Sequence, residues 1–238
     1  MMKEKRALPP FSSAMSALEA ALTLAWLPMH VWLLPLLGAW LMEKGLLDAM
    51  WANFFCYSLG AIYILALLFR FLRRDFEPLC DAPFLVASEV LWSYGLMLLM
   101  NMALSLLFSL LMPMAENPNN QAVLELSDMG YGPVAAMSIF LAPLVEEPIF
   151  RGAVFGYARR YSRPGAFALS MLLFSLYHVW PYAAAEPANW IFLLQYLPVS
   201  YILCRCYERT NSIWGSIFLH MLINAVSLNL LSELEKML

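Results

Sequence analysis

Charge is scarce in this chain: Asp, Glu, Lys and Arg make up 13% of its 238 residues, against 62% that are hydrophobic. Soluble domains carry about 25% charged and about 45–50% apolar residues, so a single solvated core could not hide this much apolar surface. Water-soluble function classes are excluded. Basic residues are few and scattered, 14 Lys and Arg in a chain of net charge −3, whereas phosphate binding needs a basic stripe. Nucleic acid is therefore not expected as a partner. The four cysteines, Cys56, Cys80, Cys204 and Cys206, form no CxxC pair. They lie in or beside apolar runs, where a thiol packs as a small hydrophobe. Internal repeats, low-complexity tracts and linkers are also lacking, so a single integral membrane domain is expected over residues 1–238.

What the chain has in abundance is apolar runs of spanning length, about 20 residues being enough to cross a bilayer. They cover residues 15–42, 50–72, 84–112, 133–157, 165–182, 190–205 and 213–231. Lipid offers no partners to free backbone amides, so such runs must be helical, and the short alternating strands of a barrel are not visible. The expected fold class is all-α: a polytopic membrane protein of about seven transmembrane helices with an intramembrane polar site. The first run follows Lys3, Lys5 and Arg6 as a signal peptide would, but it is too long and has no clean small-residue cleavage site. It reads as a retained span. Pro28 and Pro35 interrupt it, so it is either kinked or re-entrant.

The connections alternate in charge. Lys3, Lys5 and Arg6 precede the first run, Lys44 stands alone after it, and Arg70, Arg73 and Arg74 follow the second. The stretch 115–131 has no Lys or Arg, Arg159, Arg160 and Arg163 follow the fourth run, and 183–189 carries only Glu186. Arg205 and Arg209 come next, and Lys236 lies in the tail. Under the positive-inside bias this pattern places the N-terminus in the cytoplasm and the C-terminus outside, as an odd number of spans requires.

Against this background, several polar residues stand out. The fourth run contains Glu146, Glu147 and Arg151, and each charge at mid-bilayer costs about 2.5–3.5 kcal/mol on insertion scales. Glu147 and Arg151 are four apart on one helix face and can pair, while Glu146 points about 100° away. Pro148 should kink the helix and free a carbonyl near the carboxylates. Taken alone, the pair reads equally well as a structural lock between helices. Two further sites shift the balance: Phe174 and His178 in the fifth run, and His220 and Asn224, one turn apart, in the last. At about 1.5 Å per residue from the cytoplasmic ends, Glu146 lies about 18 Å deep, His178 about 21 Å, His220 about 12 Å and Asn224 about 18 Å. These depths fall in one slab of membrane. A cavity among the fourth, fifth and last runs, open toward the cytoplasmic half, is expected to bring water there. His30, beside Pro28 and without an acidic neighbour at helical spacing, reads as structural.

The segment from Glu146 to Gly152, followed by Phe174-xxx-His178 and His220-xxx-Asn224, resembles the CAAX-protease and bacteriocin-processing (CPBP) intramembrane proteases, the Abi or Rce1-like group. The three motifs, EExxxR, FxxxH and HxxxN, occur in the family order within about residues 130–231, and the first three runs match only in being hydrophobic. The resemblance implies a glutamate-dependent intramembrane endopeptidase. In it Glu146 would be the general base, acting with His178 on water. His220 and Asn224 would bind the oxyanion, and Glu147, Arg151 and Phe174 would support the site. It implies a membrane-associated peptide or protein substrate within the lipid bilayer and no cofactor. The short loops suggest a bacterial cytoplasmic (inner) membrane. Zinc could use His178, His220 and a glutamate, but there is no HExxH and Asn224 suits an oxyanion donor better, so no metal is expected. The alternative function class is a non-catalytic scaffold or immunity protein, or a proton-coupled carrier, that keeps the polar network for structural or transport reasons.

Overall fold

The computed structural model describes residues 11–111 and 116–235. Lys3, Lys5, Arg6 and Lys236, used above for orientation, lie outside the described residues. The described chain is all-helical, and six of its helices are long and apolar enough to cross a membrane. In chain order the helices are α1 (Ala17–Glu43), α2 (Ala49–Leu67), the short α3 (Phe69–Arg74) and α4 (Glu77–Asp81), and α5 (Pro83–Leu111). They continue with α6 (Pro118–Met129), α7 (Tyr131–Ala158), α8 (Arg163–Ala185), α9 (Leu193–Thr210) and α10 (Ile213–Glu235). Many large apolar side chains are left exposed, among them Trp32, Ile62, Phe84, Leu91, Trp92 and Leu106. A belt of this kind suits hydrocarbon and not water, and the protein is an integral membrane protein.

Helix starts are set by short polar side chains. Ser16 and Glu19 form a reciprocal capping box at α1, Asp48 accepts from the Trp51 amide at α2 (2.8 Å), and Ser162 accepts from the Gly165 amide at α8 (3.2 Å). Each satisfies a backbone donor that the first turn leaves free. The α9–α10 turn is closed by Asn211 in the left-handed region (φ 52°), a conformation that asparagine tolerates better than most residues.

The count of spans differs from the sequence expectation. The sixth apolar run does form a helix, α9, and it reaches from one end of the bundle, where Gln195 accepts from Asn117, to the other, where Glu208 pairs with Arg159 and Arg163. Yet α9 does not meet the apolarity of a membrane span. Two physical reasons apply: its last turns carry Arg205, Glu208 and Arg209, and much of its length is enclosed by protein. It packs against α5, α8 and α10, and buries Pro198, Ser200, Ile202, Leu203, Cys204, Cys206, Tyr207 and Thr210. A helix wrapped by protein can carry Ser, Thr, Cys and Tyr where a lipid-facing one carries Leu or Ile. The first span, by contrast, is one continuous helix, so the re-entrant alternative does not hold. It widens into a π-helical turn at Met29–Leu33, between the two prolines.

Helix α7 is the most enclosed of the six apolar helices, with an unbroken buried stretch from Val145 to Gly156. It too is widened, at Met137–Leu141 and Pro148–Phe155, next to Pro143 and Pro148. Proline removes one amide from the i→i−4 ladder, and π-helical turns of this kind are concentrated at functional sites. Packing on α7 is close at Gly152, where a Cβ would displace the tip of the flexible Met15 side chain ahead of α1.

Beside two smaller apolar clusters, two large ones fill most of the bundle. One, containing Trp26, Phe150, Phe174, Leu203 and Ile223, surrounds its middle, and the other, containing Met15, Phe71, Phe155, Tyr207 and Ile217, fills the end where α1 begins. That end is tied by Asp75, which accepts from the Ser13 hydroxyl and from the Ile213 amide (2.9 Å), while its carbonyl accepts from Ser212 (2.5 Å). Asn211 accepts from the amides of Ser12 (2.8 Å) and Ser13 (2.9 Å).

Asp75 lies outside the apolar helices, and burial pushes its carboxyl up from 3.8 to about 6, against the pull of its hydrogen bonds from Ser13 and Ile213. A folded-state value above the unfolded one gives stability that is complete below pH about 4 and is lost as pH rises through about 6. The melting temperature in detergent should therefore fall more between pH 4 and pH 7 for the wild type than for Asp75→Asn. Parallel pH profiles would contradict this assignment.

Candidate active site within the helix bundle

The polar residues of α7, α8 and α10 converge. Glu147 and Arg151 are fully buried and paired at 3.2 Å, as the four-residue spacing required, even though Pro148 opens a π-helical turn between them. Glu147 Oε1 also accepts from His220 Nδ1 at 2.7 Å. The Arg151 guanidinium reaches the Ser200 hydroxyl of α9 (3.2 Å) and sits 4.2 Å over the Phe174 ring. A cation over an aromatic face, away from water, contributes about 2 kcal/mol. Three helices and the Phe174 ring thus neutralise a charge pair that neither lipid nor a bare core would accept.

Glu146 is on the other side of α7, also buried. Its Oε2 makes no hydrogen bond within the protein. Two imidazole nitrogens face it: His178 Nε2 at 3.9 Å and His220 Nε2 at 4.0 Å. The His178 ring is fixed by Nδ1, which donates to the Phe174 carbonyl (2.9 Å), and by stacking on Tyr196 with ring centroids 4.6 Å apart. With its proton on Nδ1, the neutral His178 ring presents a lone pair at Nε2. Phe174 therefore has two tasks, as backbone acceptor for His178 and as the ring beneath Arg151.

Asn224 is one turn beyond His220 on α10. Its Nδ2 donates to the carbonyl of Ser138 (2.8 Å), inside the first widened turn of α7. An amide nitrogen has two hydrogens, so one is left to donate. Of the residues singled out by sequence, Glu146, His178 and His220 meet at one point, Asn224 lines the same cavity, and Glu147, Arg151 and Phe174 form the support on one side. Among the described residues no group of three or more His, Cys, Asp or Glu is arranged to hold a metal ion.

Sequence reasoning missed part of the site. His30 of α1, expected as a packing residue, is buried but lines the cavity and bonds through Nε2 to the Tyr177 hydroxyl (2.8 Å). The Tyr177 hydroxyl in turn meets that of Tyr57 on α2 (3.2 Å), and Tyr57 neighbours the Glu146 carboxyl group. No helical spacing could have linked His30, Tyr57 and Tyr177, because they meet only across helices. Tyr177, adjacent to His178, gave the one local hint.

The site is the inner end of a cavity of about 820 Å³. Its walls reach Met42 at the end of α1, Asn53 at the start of α2, Asn117 before α6, Tyr182 near the end of α8 and Gln195 at the start of α9. All of these lie at one end of the bundle. This corrects the expected opening: the cavity runs away from the end bearing Arg73, Arg159, Arg163 and Arg209, not toward it. That basic end is closed by the second apolar cluster and the Asp75 ties.

The class of protein is defined at this point: a polytopic integral membrane protein with one buried carboxylate–imidazole site at the bottom of a large cavity. Residues 130–226 match the family described as type II CAAX prenyl endopeptidase Rce1-like, the family that the three motifs resemble. The matched stretch contains every site residue from Glu146 to Asn224. No curated protein and no solved structure matches the chain.

The Arg151 geometry makes a stability prediction. Arg151→Ala leaves Glu147 facing only His220, and breaking a buried pair by removing one partner costs about 3–5 kcal/mol. The expected result is a lower yield and a melting temperature well below that of Glu146→Gln, whose side chain has no cation to lose. Equal yield and melting of the two variants would contradict this division of roles.

Proposed function

We propose that this protein is a glutamate-dependent intramembrane endopeptidase in which Glu146 and His178 hold the attacking water. The observation that carries the reading is the unpartnered Glu146 Oε2 facing two imidazole nitrogens at 3.9 and 4.0 Å at the bottom of the cavity. Those separations are too long for direct hydrogen bonds. They match one water about 2.8 Å from each partner with the two directions near a right angle, which spans about 4 Å.

Glu146 and the Nε2 lone pair of His178 are both acceptors, so a water between them donates both hydrogens to the protein. Its own lone pairs then point into the cavity, toward a substrate carbonyl. As the water oxygen bonds to the carbonyl carbon, Glu146 takes one proton. The carbonyl oxygen becomes negative and is met by the free N–H of Asn224 and by His220 Nε2 when that ring carries both protons. The Glu147 carboxylate at Nδ1 offsets the positive charge of that ring. When the C–N bond breaks, Glu146 returns its proton to the leaving amine. One water is consumed, and the products are an acid and an amine. Removing a general base typically costs about 10²–10⁴ in rate, and removing one oxyanion donor about 10²–10³.

By family the substrate is a membrane-associated peptide or protein. The bacterial cytoplasmic membrane remains our assignment for the chain, on its short loops.

Purified Glu146→Gln and His178→Ala should fold, melt near the wild type and lose peptide cleavage by at least about a hundredfold. Asn224→Ala should lose about a hundredfold in kcat with little change in KM, because the oxyanion exists only in the transition state. Full cleavage by folded Glu146→Gln would overturn the mechanism.

A further inference from the structure

The cavity reaches the end of the bundle opposite the Arg-rich one, and the distribution of charge says which side of the membrane that end faces. At the closed end lie Arg70, Arg73, Arg74, Arg159, Arg160 and Arg163. At the open end Lys44 is the one basic side chain among the described residues, beside the acidic Asp48, Glu116, Glu125, Asp128 and Glu186. Lys and Arg within short loops mark the cytoplasmic face, and this asymmetry does not depend on whether six or seven helices cross. The closed end is therefore cytoplasmic. From the deduced orientation, resting on the protease reading only for what happens at Glu146, we propose that substrate enters from the non-cytoplasmic side. It enters as an internal, extended segment of an exported or membrane-anchored polypeptide.

The cavity wall has the chemistry for such a segment. Among the described residues no Lys or Arg lines it, so neither a terminal carboxylate nor a phosphate finds a cation in that lining. Its polar wall is instead rich in primary amides, Asn53, Asn101, Asn117, Asn119, Asn120 and Gln195, beside Ser and Tyr hydroxyls. A carboxamide donates and accepts at once, which matches peptide backbone in any sequence. Asn101 Oδ1 and His30 Nδ1, both buried and both on residues lining the cavity, make no hydrogen bond within the protein. Val123, Leu126 and Phe108 supply apolar wall between the amides, for side chains of no particular charge. Selection by sequence is consequently weak, and access is what limits the choice of substrate.

Native Cys80, exposed at the closed end on α4, and exposed Glu125 on α6 at the open end provide the test. Intact cells would be treated with a membrane-impermeant maleimide. Glu125→Cys and Asn53→Cys, each in a Cys80→Ser background, should label at least tenfold faster than Cys80 of the wild type, which should react fully only after permeabilisation. The reverse pattern overturns the proposal whatever the enzyme cleaves. A second measurement separates entry from chemistry: in cells carrying Glu146→Gln, peptides of the exported and membrane fractions should change while cytoplasmic C-termini do not. Outside labelling with no change in any fraction would leave the entry side standing and count against the protease reading. Changes confined to cytoplasmic C-termini would overturn the proposed substrate class.

Discussion

The ion pair between Glu147 and Arg151 is the constraint around which the rest of the bundle is arranged. Two opposite charges buried in a span need compensation from their surroundings, and here it comes from three of the helices packed around α7. His220 takes one edge of the Glu147 carboxylate from α10, Ser200 takes the guanidinium from α9, and Phe174 covers its face from α8. Satisfying this one pair fixes the relative rotation of four helices. It also fixes where His178 and His220 point, because Phe174 and Glu147 are the groups that hold their Nδ1 atoms.

The same constraint separates the roles of two adjacent carboxylates. Glu147 is spent on Arg151 and His220, and Glu146, one residue earlier and turned toward the cavity, has no cation bonded to it. The widening of α7 at Pro148 lies immediately after them. A structural role alone would explain Glu147 fully. It would leave Glu146 without a reason, since an unpaired buried carboxylate is costly unless its chemistry is used. The proposed reactivity rests on one acid being ion-paired and its neighbour not.

Much of this could be read from the chain, and the parts that could not have physical reasons. Helical spacing paired Glu147 with Arg151 and put His220 and Asn224 on one face, and simple depth counting brought Glu146, His178 and His220 to a common level. These are local relations, and helix geometry preserves them. His30, Tyr57, Tyr177 and Ser200 join the site only through packing between helices distant in sequence, where spacing carries no information. Helix α9 was recognised as apolar, but its Ser, Cys and Tyr residues are tolerated because protein and not lipid surrounds it, and hydropathy does not register that difference. The mouth of the cavity was expected at the wrong end. Depth says how far a residue lies from a surface, and says nothing about which end Ser13, Asp75, Asn211 and Ser212, from separate segments, will close.

The central claim, that Glu146 and His178 hold one attacking water, is tested most directly by a double-mutant cycle on peptide cleavage. Groups that act as a unit on a single step show strongly non-additive effects. The double variant Glu146→Gln/His178→Ala should be about as slow as the slower single variant. Losses that multiply, so that the double variant is slower by the product of the two single effects, would show that the two side chains act independently and would contradict the shared water.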